Sequence, residues 1–188
     1  MERNEKKLIK LVKSGDKESF GVLYNIYITR IYNYIFFKTH HTETAEDLTS
    51  LTFTVAFQNV DLFDEEKKDS NFNAWLYRIA RNNVIDYYRK KKVEYNIEDA
   101  WDISSNENIK MDVNNRIKIE QVKEYLKNLS SPHRDIVIMR IWQQMSYKEI
   151  AGVLGKTESS CKMAFSRIIN QLRKDMPMTL FITLILNL

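Results

Sequence analysis

Turn-forming residues are scarce in this chain. Four Gly and two Pro among 188 residues are about a quarter of the roughly 12% that average usage would supply. That scarcity argues against the many tight turns of β-sandwiches and barrels and makes helices the expected element. The single Cys, Cys161, excludes an internal disulfide and any multi-cysteine zinc site, and it fits a reducing compartment. The opening residues, MERNEKKLIKLVKSGD, are charged throughout and lack the apolar run of a secretory signal, so the protein is expected to begin in the cytosol. His40, His41 and His133 are the three His; they are scattered, and no carboxylate pair sits beside a nucleophile. No catalytic centre, metal site, cofactor or small-molecule substrate is expected. What is present suffices for packing: 44% of residues are hydrophobic and 12% aromatic, too apolar for wholesale disorder.

The net charge of +4 is a cancellation. Residues 71 to 92 carry 6 Lys/Arg against 1 Asp/Glu, residues 93 to 115 carry 1 against 6, and residues 127 to 174 carry 9 against 3. Two basic blocks therefore flank an acidic one. Basic blocks on small domains suggest a polyanionic partner, most often nucleic acid; the alternative is that they are solvated helix faces.

Apolar spacing organises the first half into four amphipathic helices. Leu8, Leu11 and Val12 mark the first. Asp16 caps the second, with Phe20, Leu23, Tyr24, Tyr27, Ile31 and Ile35 at three- and four-residue steps. The third begins near Thr42, where Glu43, Glu46 and Asp47 suit the positive end of the helix dipole, and runs through Leu48, Leu51, Val55 and Ala56. After the polar loop Asp64 to Ser70, the fourth runs from Asn71 to the basic end Arg89 to Lys92. From Val93 to about Asn115 the periodicity fails, as expected of a linker. Beyond it, Val122, Tyr125, Leu126 and Leu129 form another helical face. Ser130, as a cap, and Pro132 then open a further helix.

Residues 146 to 174 carry the most specific local signal. Ser146 with Glu149 reads as a capping box, Gly155 as a left-handed stop, and Thr157 as the cap of the next helix. Two helices joined by so short a glycine-containing turn make a helix-turn-helix, whose second helix enters the major groove in DNA-binding proteins. Cys161 falls on the inner face with Phe165, Ile168 and Leu172. Glu158, Ser159, Lys162, Met163, Ser166 and Arg167 fall outside, where Lys and Arg can meet phosphates or guanine edges and Met a thymine methyl. A structural helical hairpin without DNA is the alternative.

On the fourth helix, 71-NFNAWLYRIARNNVIDYYRKKK-92 alternates aromatics with cations. Trp75 and Ile79 can face a core, but Phe72, Tyr77, Tyr87 and Tyr88 exceed one stripe. Rings beside cations suit single-stranded nucleic acid, because bases stack on the rings while Lys and Arg hold the backbone. A buried aromatic cluster with a solvated basic face is the alternative.

Taken in order, 45-AEDLTSLTF-53, 72-FNAWLYRIARN-82, 85-IDYYRKKK-92, 129-LSSPHRDIVIMR-140 and 146-SYKEIAGVLGKTESSCK-162, with the acidic segment between, resemble bacterial RNA polymerase sigma factors. The likeness is to the small two-domain, extracytoplasmic-function (ECF) group of the sigma-70 family and covers about residues 8 to 174. It implies an all-α fold of two small helical domains joined by a flexible acidic linker. Residues 1–92 would form a region 2-like domain that binds core polymerase and recognises and melts the −10 element. Residues 93–115 would be the linker, which in the family threads the RNA exit path and would act there as a nucleic-acid mimic. Residues 116–175 would form the region 4-like domain that reads the −35 element through its helix-turn-helix.

By the same resemblance, Glu46, Asp47, Leu48 and Phe53 face the polymerase. Phe63, Phe72, Trp75, Tyr77, Arg78, Asn82, Asp86, Arg89 and Lys90 meet the −10 non-template strand, where flipping a base costs a few kcal/mol, offset by an aromatic pocket and cationic contacts. Ser159, Ser160, Lys162, Met163, Ser166 and Arg167 read the −35 duplex. The implied partners are core RNA polymerase, promoter DNA and an anti-sigma factor, which could hold an otherwise cytoplasmic protein at the membrane. A free-standing helix-turn-helix regulator and a protein-interaction adaptor are the competing readings.

Three departures from the family pattern stand out. Ser50-Leu51 replace a usual Gln-Glu, and Met163-Ala164 replace a usual Ser-Arg, so the −35 sequence is not transferable. The apolar tail 176-MPMTLFITLILNL-188 has no counterpart. As a helix its thirteen residues span about 20 Å, short of a ~30 Å hydrocarbon core. It is left to pack on the second domain or a partner, to touch a membrane interface, or to hang free.

Overall fold

Helices carry the chain wherever the computed structural model describes it, which is residues 2–67, 70–95, 121–122, 125–126 and 128–185; no strand occurs among these. The chain divides into two compact units, Met1–Glu107 and Asn108–Leu188. The linker expected over 93–115 lies outside the described residues from residue 96 onward.

In the first unit, α1 (Glu2–Lys13) ends at Ser14 and at Gly15, whose φ of +98° no β-carbon tolerates cheaply. Asp16 caps α2 (Lys17–Thr39), accepting from Glu18 N at 3.0 Å and Ser19 N at 3.4 Å. The Ser19 hydroxyl also donates to this carboxylate, at 2.7 Å, and holds its pKa below the usual value. His40 closes α2 in the left-handed region, and the His41 ring nitrogen Nδ1 accepts Thr44 N at 3.3 Å to cap α3 (Thr42–Gln58). A 3-10 turn over Val60–Leu62 leads into a loop. Asn71 then caps α4 (Phe72–Tyr95), accepting Ala74 N at 2.8 Å. The helix thus starts one residue later and ends three residues further on than the spacing predicts.

The core stripes differ in detail from the sequence reading. On α1 the buried residues are Ile9 and Val12, while Leu11 faces outward. Tyr24 and Leu51 are also exposed, and α3 instead buries Thr49, Thr52 and Phe53. Two threonines can be buried because each hydroxyl donates back to its own helix, Thr49 to Ala45 O and Thr52 to Leu48 O, both at 2.6 Å. Neither threonine hydroxyl is then left bare in the core.

In the second unit, α5 (Ser131–Ile141) follows the cap residue Ser130, with Pro132 in its first turn. Ser130 makes no side-chain cap bond; Pro132 sits at the second helical position rather than the first, where its missing N–H is equally harmless. The buried Arg134 side chain donates to Leu126 O at 3.0 Å and Leu129 O at 3.1 Å, closing the preceding helical segment from inside the core. The hairpin consists of α6 (Tyr147–Leu154) and α7 (Glu158–Asp175). After Pro177, α8 (Met178–Ile185) buries Leu180 and Leu184 among Val122, Leu126, Val137, Ile168 and Leu172. Of the readings open for the tail, packing on its own domain is the one the fold realises. Met178 and Ile182 remain on the outer side of α8.

Candidate nucleic-acid and polymerase interfaces

The helix-turn-helix forms as its caps dictate. Ser146 Oγ accepts Glu149 N at 3.2 Å while the Glu149 carboxylate accepts Ser146 N at 2.8 Å, so both halves of the capping box are made. Gly155 takes the left-handed conformation with φ +63°, and Thr157 Oγ1 accepts Ser160 N at 3.2 Å. Arg140 braces the entry, donating to Met145 O at 2.9 Å with its guanidinium 4.8 Å from the centre of the Tyr147 ring. That ring meets Phe165 edge-on at 5.9 Å. Cys161 is fully buried, and burial pushes its thiol pKa up, which suits a packing residue rather than a reactive one.

Burial of Cys161, Ile168 and Leu172 sets the outward face of α7. Ser159, Met163 and Ser166 lie along its centre, with Lys162 and Arg167 on the flanks, all exposed. Ser160 is half-buried beside Thr157 and does not share that face. Asn170, one turn beyond Ser166, is exposed on the same stripe and was not singled out from sequence. Continuing the three- and four-residue steps would have found it.

On α4 the predicted strand contacts separate into two layers. Phe63, Phe72 and Tyr77 are buried, so the surface role given to these three rings is corrected to a supporting one. Phe63 and Phe72 lie 5.4 Å apart, and each is 5.4 Å from the Trp75 ring. Phe72 also meets Tyr27, and Tyr77 meets Tyr34. Trp75 is only partly covered and heads an outward stripe of Arg78, Arg81, Asn82, Ile85, Asp86 and Arg89. Ile85 is 41% exposed and was not among the expected contacts. Arg89 pairs with Asp86 at 3.1 Å across open surface, a link worth little to the fold. Lys90 is exposed beside Arg89. Lys91 lies 5.8 Å from the centre of the Tyr87 ring.

The loop before α4 is fastened from α1. Lys13 Nζ donates to Phe63 O and to the Glu65 carboxylate, each at 2.5 Å. Glu65 is buried, and the ammonium beside it holds its carboxyl below the usual range. Lys10 pairs with Glu66 on open surface. Asp64 accepts the amides of Glu66 and Lys67 at 3.0 and 3.1 Å.

Of the residues expected to face polymerase, Glu46 and Asp47 are exposed on α3, whereas Leu48 and Phe53 are buried. Leu48 and Phe53 are thus core residues. An aromatic cluster surrounds Phe53, with Tyr24 at 4.7 Å and Phe20 at 6.5 Å; Phe20 in turn meets the half-exposed Phe57 at 4.9 Å. Among the described residues no group of His, Cys, Asp or Glu could hold a metal ion, and no helix is long and apolar enough to cross a membrane.

Comparison with known proteins agrees with both halves. Residues 23–94 match sigma-70 region 2 and residues 119–172 match sigma-70 region 4. The RNA polymerase sigma factor YlaC of Bacillus subtilis (strain 168) is 33% identical over 168 residues, covering 85% of this chain and 93% of the relative. Two solved structures share the fold. CnrH, in complex with the cytosolic domain of CnrY, has a TM-score of 0.69 at 22% identity, covering 90% of this chain and 95% of that one. The sigma factor RpoE, in complex with the anti-sigma factor NepR from Bartonella quintana, has a TM-score of 0.65 at 24% identity, covering 84% and 96%. A lone helix-turn-helix regulator would not carry the first of these regions. With region 2 and region 4 present in order and a relative matched along nearly its whole length, the chain belongs to the sigma-70 family as an ECF sigma factor, which directs core RNA polymerase to promoters.

Proposed function

We propose that the two units divide this work, with Trp75 and the stripe Arg78, Asn82, Asp86 and Arg89 receiving the opened −10 non-template strand and the α7 face reading the −35 duplex. The observation that carries the first half is the half-covered Trp75 ring at the head of that stripe, braced from beneath by Phe63 and Phe72. A ring held at an edge offers a flipped base a rigid platform, and guanidinium groups about one and four turns along can hold its backbone. On α7, the outward Ser159, Met163 and Ser166 can face base edges while Lys162 and Arg167 on the flanks touch phosphates. The exposed carboxylates Glu46 and Asp47 supply the polymerase-facing end of α3. The protein works in the cytoplasm without catalysis of its own, and an anti-sigma factor is its natural restraint, as NepR is found with RpoE.

Transcription in vitro with purified core polymerase tests the whole reading: failure both to bind core and to initiate at any promoter would overturn it. Arg78→Ala and Asn82→Ala test the strand face. Each should slow open-complex formation about tenfold, the loss expected from one hydrogen bond to a charged group, with core affinity unchanged. Normal opening by both variants would remove α4 from the strand interface.

A further inference from the structure

We propose that Lys13 of α1 is a positioning residue for promoter opening, locking the 63–65 segment so that Phe63 holds Trp75 in place and the Glu65 carboxylate is neutralised beside the strand path. The inference rests on the reading that the α4 stripe meets the non-template strand. It adds a helix that lies outside the matched region 2, which begins at residue 23.

Three observations converge on Lys13. Its ammonium is shared between a backbone carbonyl and a carboxylate of the same loop, Phe63 O and Glu65, both at 2.5 Å. The pair is shielded, with the Lys13 and Glu65 side chains 23% and 10% exposed, unlike the open Lys10–Glu66 pair at 58% and 68%. A shielded charge that loses its partner must be rehydrated, and the backbone holding it must move; an open pair has neither constraint. The residue whose carbonyl Lys13 holds is also the one whose ring lies 5.4 Å from both Phe72 and Trp75. One lysine therefore fixes the backbone behind the platform and the ring beneath it.

Charge gives the lock a second consequence. Asp61, Asp64, Glu65 and Glu66 lie in the segment that leads into α4, and unpaired carboxylates there would repel a DNA strand drawn to Arg78 and Arg89. Lys13 offsets Glu65, the buried one of the four. The nucleic-acid face thus begins on α1, a helix whose own sequence looks like an ordinary amphipathic leader.

The test uses holoenzyme assembled from the full chain and core polymerase. It compares Lys13→Ala, Lys13→Arg, Glu65→Gln and Lys10→Ala. The readouts are open-complex rate by permanganate footprinting, core affinity, thermal midpoint, and the ratio of opening rates on two promoters differing in one non-template −10 base. Lys13→Ala and Glu65→Gln should each slow opening about tenfold and shrink that ratio, with core affinity within about twofold; Lys13→Arg should recover most of the rate, and Lys10→Ala should stay within about twofold. Wild-type opening by Lys13→Ala overturns the proposal. So does a loss that merely follows core affinity or the thermal midpoint while base discrimination stays intact, because that is what a structural staple would give. Arg78→Ala run alongside separates the two layers: if it opens normally, the strand reading itself has failed; if it alone is slow, only the role of Lys13 has.

Discussion

The two helices proposed to face DNA are both basic but rest on different support. Beneath the α4 stripe lies an aromatic block of Phe63, Phe72 and Tyr77, from which the adjoining Trp75 ring reaches the surface. Beneath α7 lie Cys161, Ile168 and Leu172, with the half-buried Phe165 against Tyr147 beside them, and the outward centre of the helix is Ser, Met, Ser and Asn. The difference matches the form of the nucleic acid. A separated strand offers base faces, so the protein needs a rigid plane braced from behind. A duplex offers base edges at the floor of a groove, so the helix must enter the groove and present side chains that pair with those edges or touch a thymine methyl. A basic face is therefore not one kind of site. What the cations are interleaved with decides which form of DNA fits.

The sharpest way to break this comparison is Phe72→Ala. As a supporting ring it should destabilise the first unit by about 3–5 kcal/mol, measured by denaturant unfolding of the full chain. A surface platform would instead leave stability within about 0.5 kcal/mol and lose strand binding alone, which would restore the role first given to it.

Next in size is the support of α7. Leu184 is 1% exposed in the cluster that holds Ile168 and Leu172, although it lies beyond the matched region 4, which ends at residue 172. Leu184→Ala should cost about 2–5 kcal/mol by emptying that site. Met178→Ala, on the outer side of the same helix, should stay within about 0.5 kcal/mol. Equal effects from the two would mean that α8 does not pack as described.

Legibility followed the kind of interaction. The hairpin could be read from sequence because its signals are local: Ser146 with Glu149, Gly155 and Thr157 each act within four residues and need no partner elsewhere. The surplus of rings on α4 was equally plain, but which ring surfaces depends on contacts from Tyr27, Tyr34 and Phe63, which no period along α4 can report. The same reason misplaced Leu48 and Phe53. They match a family motif, yet the packing of α3 on its neighbours turns them inward and leaves Glu46 and Asp47 outside. The tail was ambiguous because an apolar segment fits a core, a partner or a membrane equally well until its neighbours are known. The Lys13–Glu65 bond joins residues 52 positions apart and leaves no trace in either local sequence.

The gentlest probe of the comparison is salt. Each phosphate contact on duplex DNA contributes about −0.9 to the slope of log affinity against log salt, and about −0.7 on a single strand. Arg167→Ala and Lys162→Ala should therefore each flatten the slope on a −35 duplex by about 0.9, with an affinity change that shrinks as salt rises. Met163→Ala should alter affinity without touching the slope, because an apolar contact with a base releases no counterion. On a melted template, Arg89→Ala should flatten the slope by about 0.7 and leave the −35 duplex slope alone. Holoenzyme titrations at several salt concentrations, with closed and pre-melted promoters, measure both slopes. If Arg167→Ala lowers affinity uniformly at every salt concentration, it reads a base edge rather than a phosphate. The flank of α7 would then be part of the sequence-reading surface, and its division into a specific centre and a holding rim would have to be redrawn.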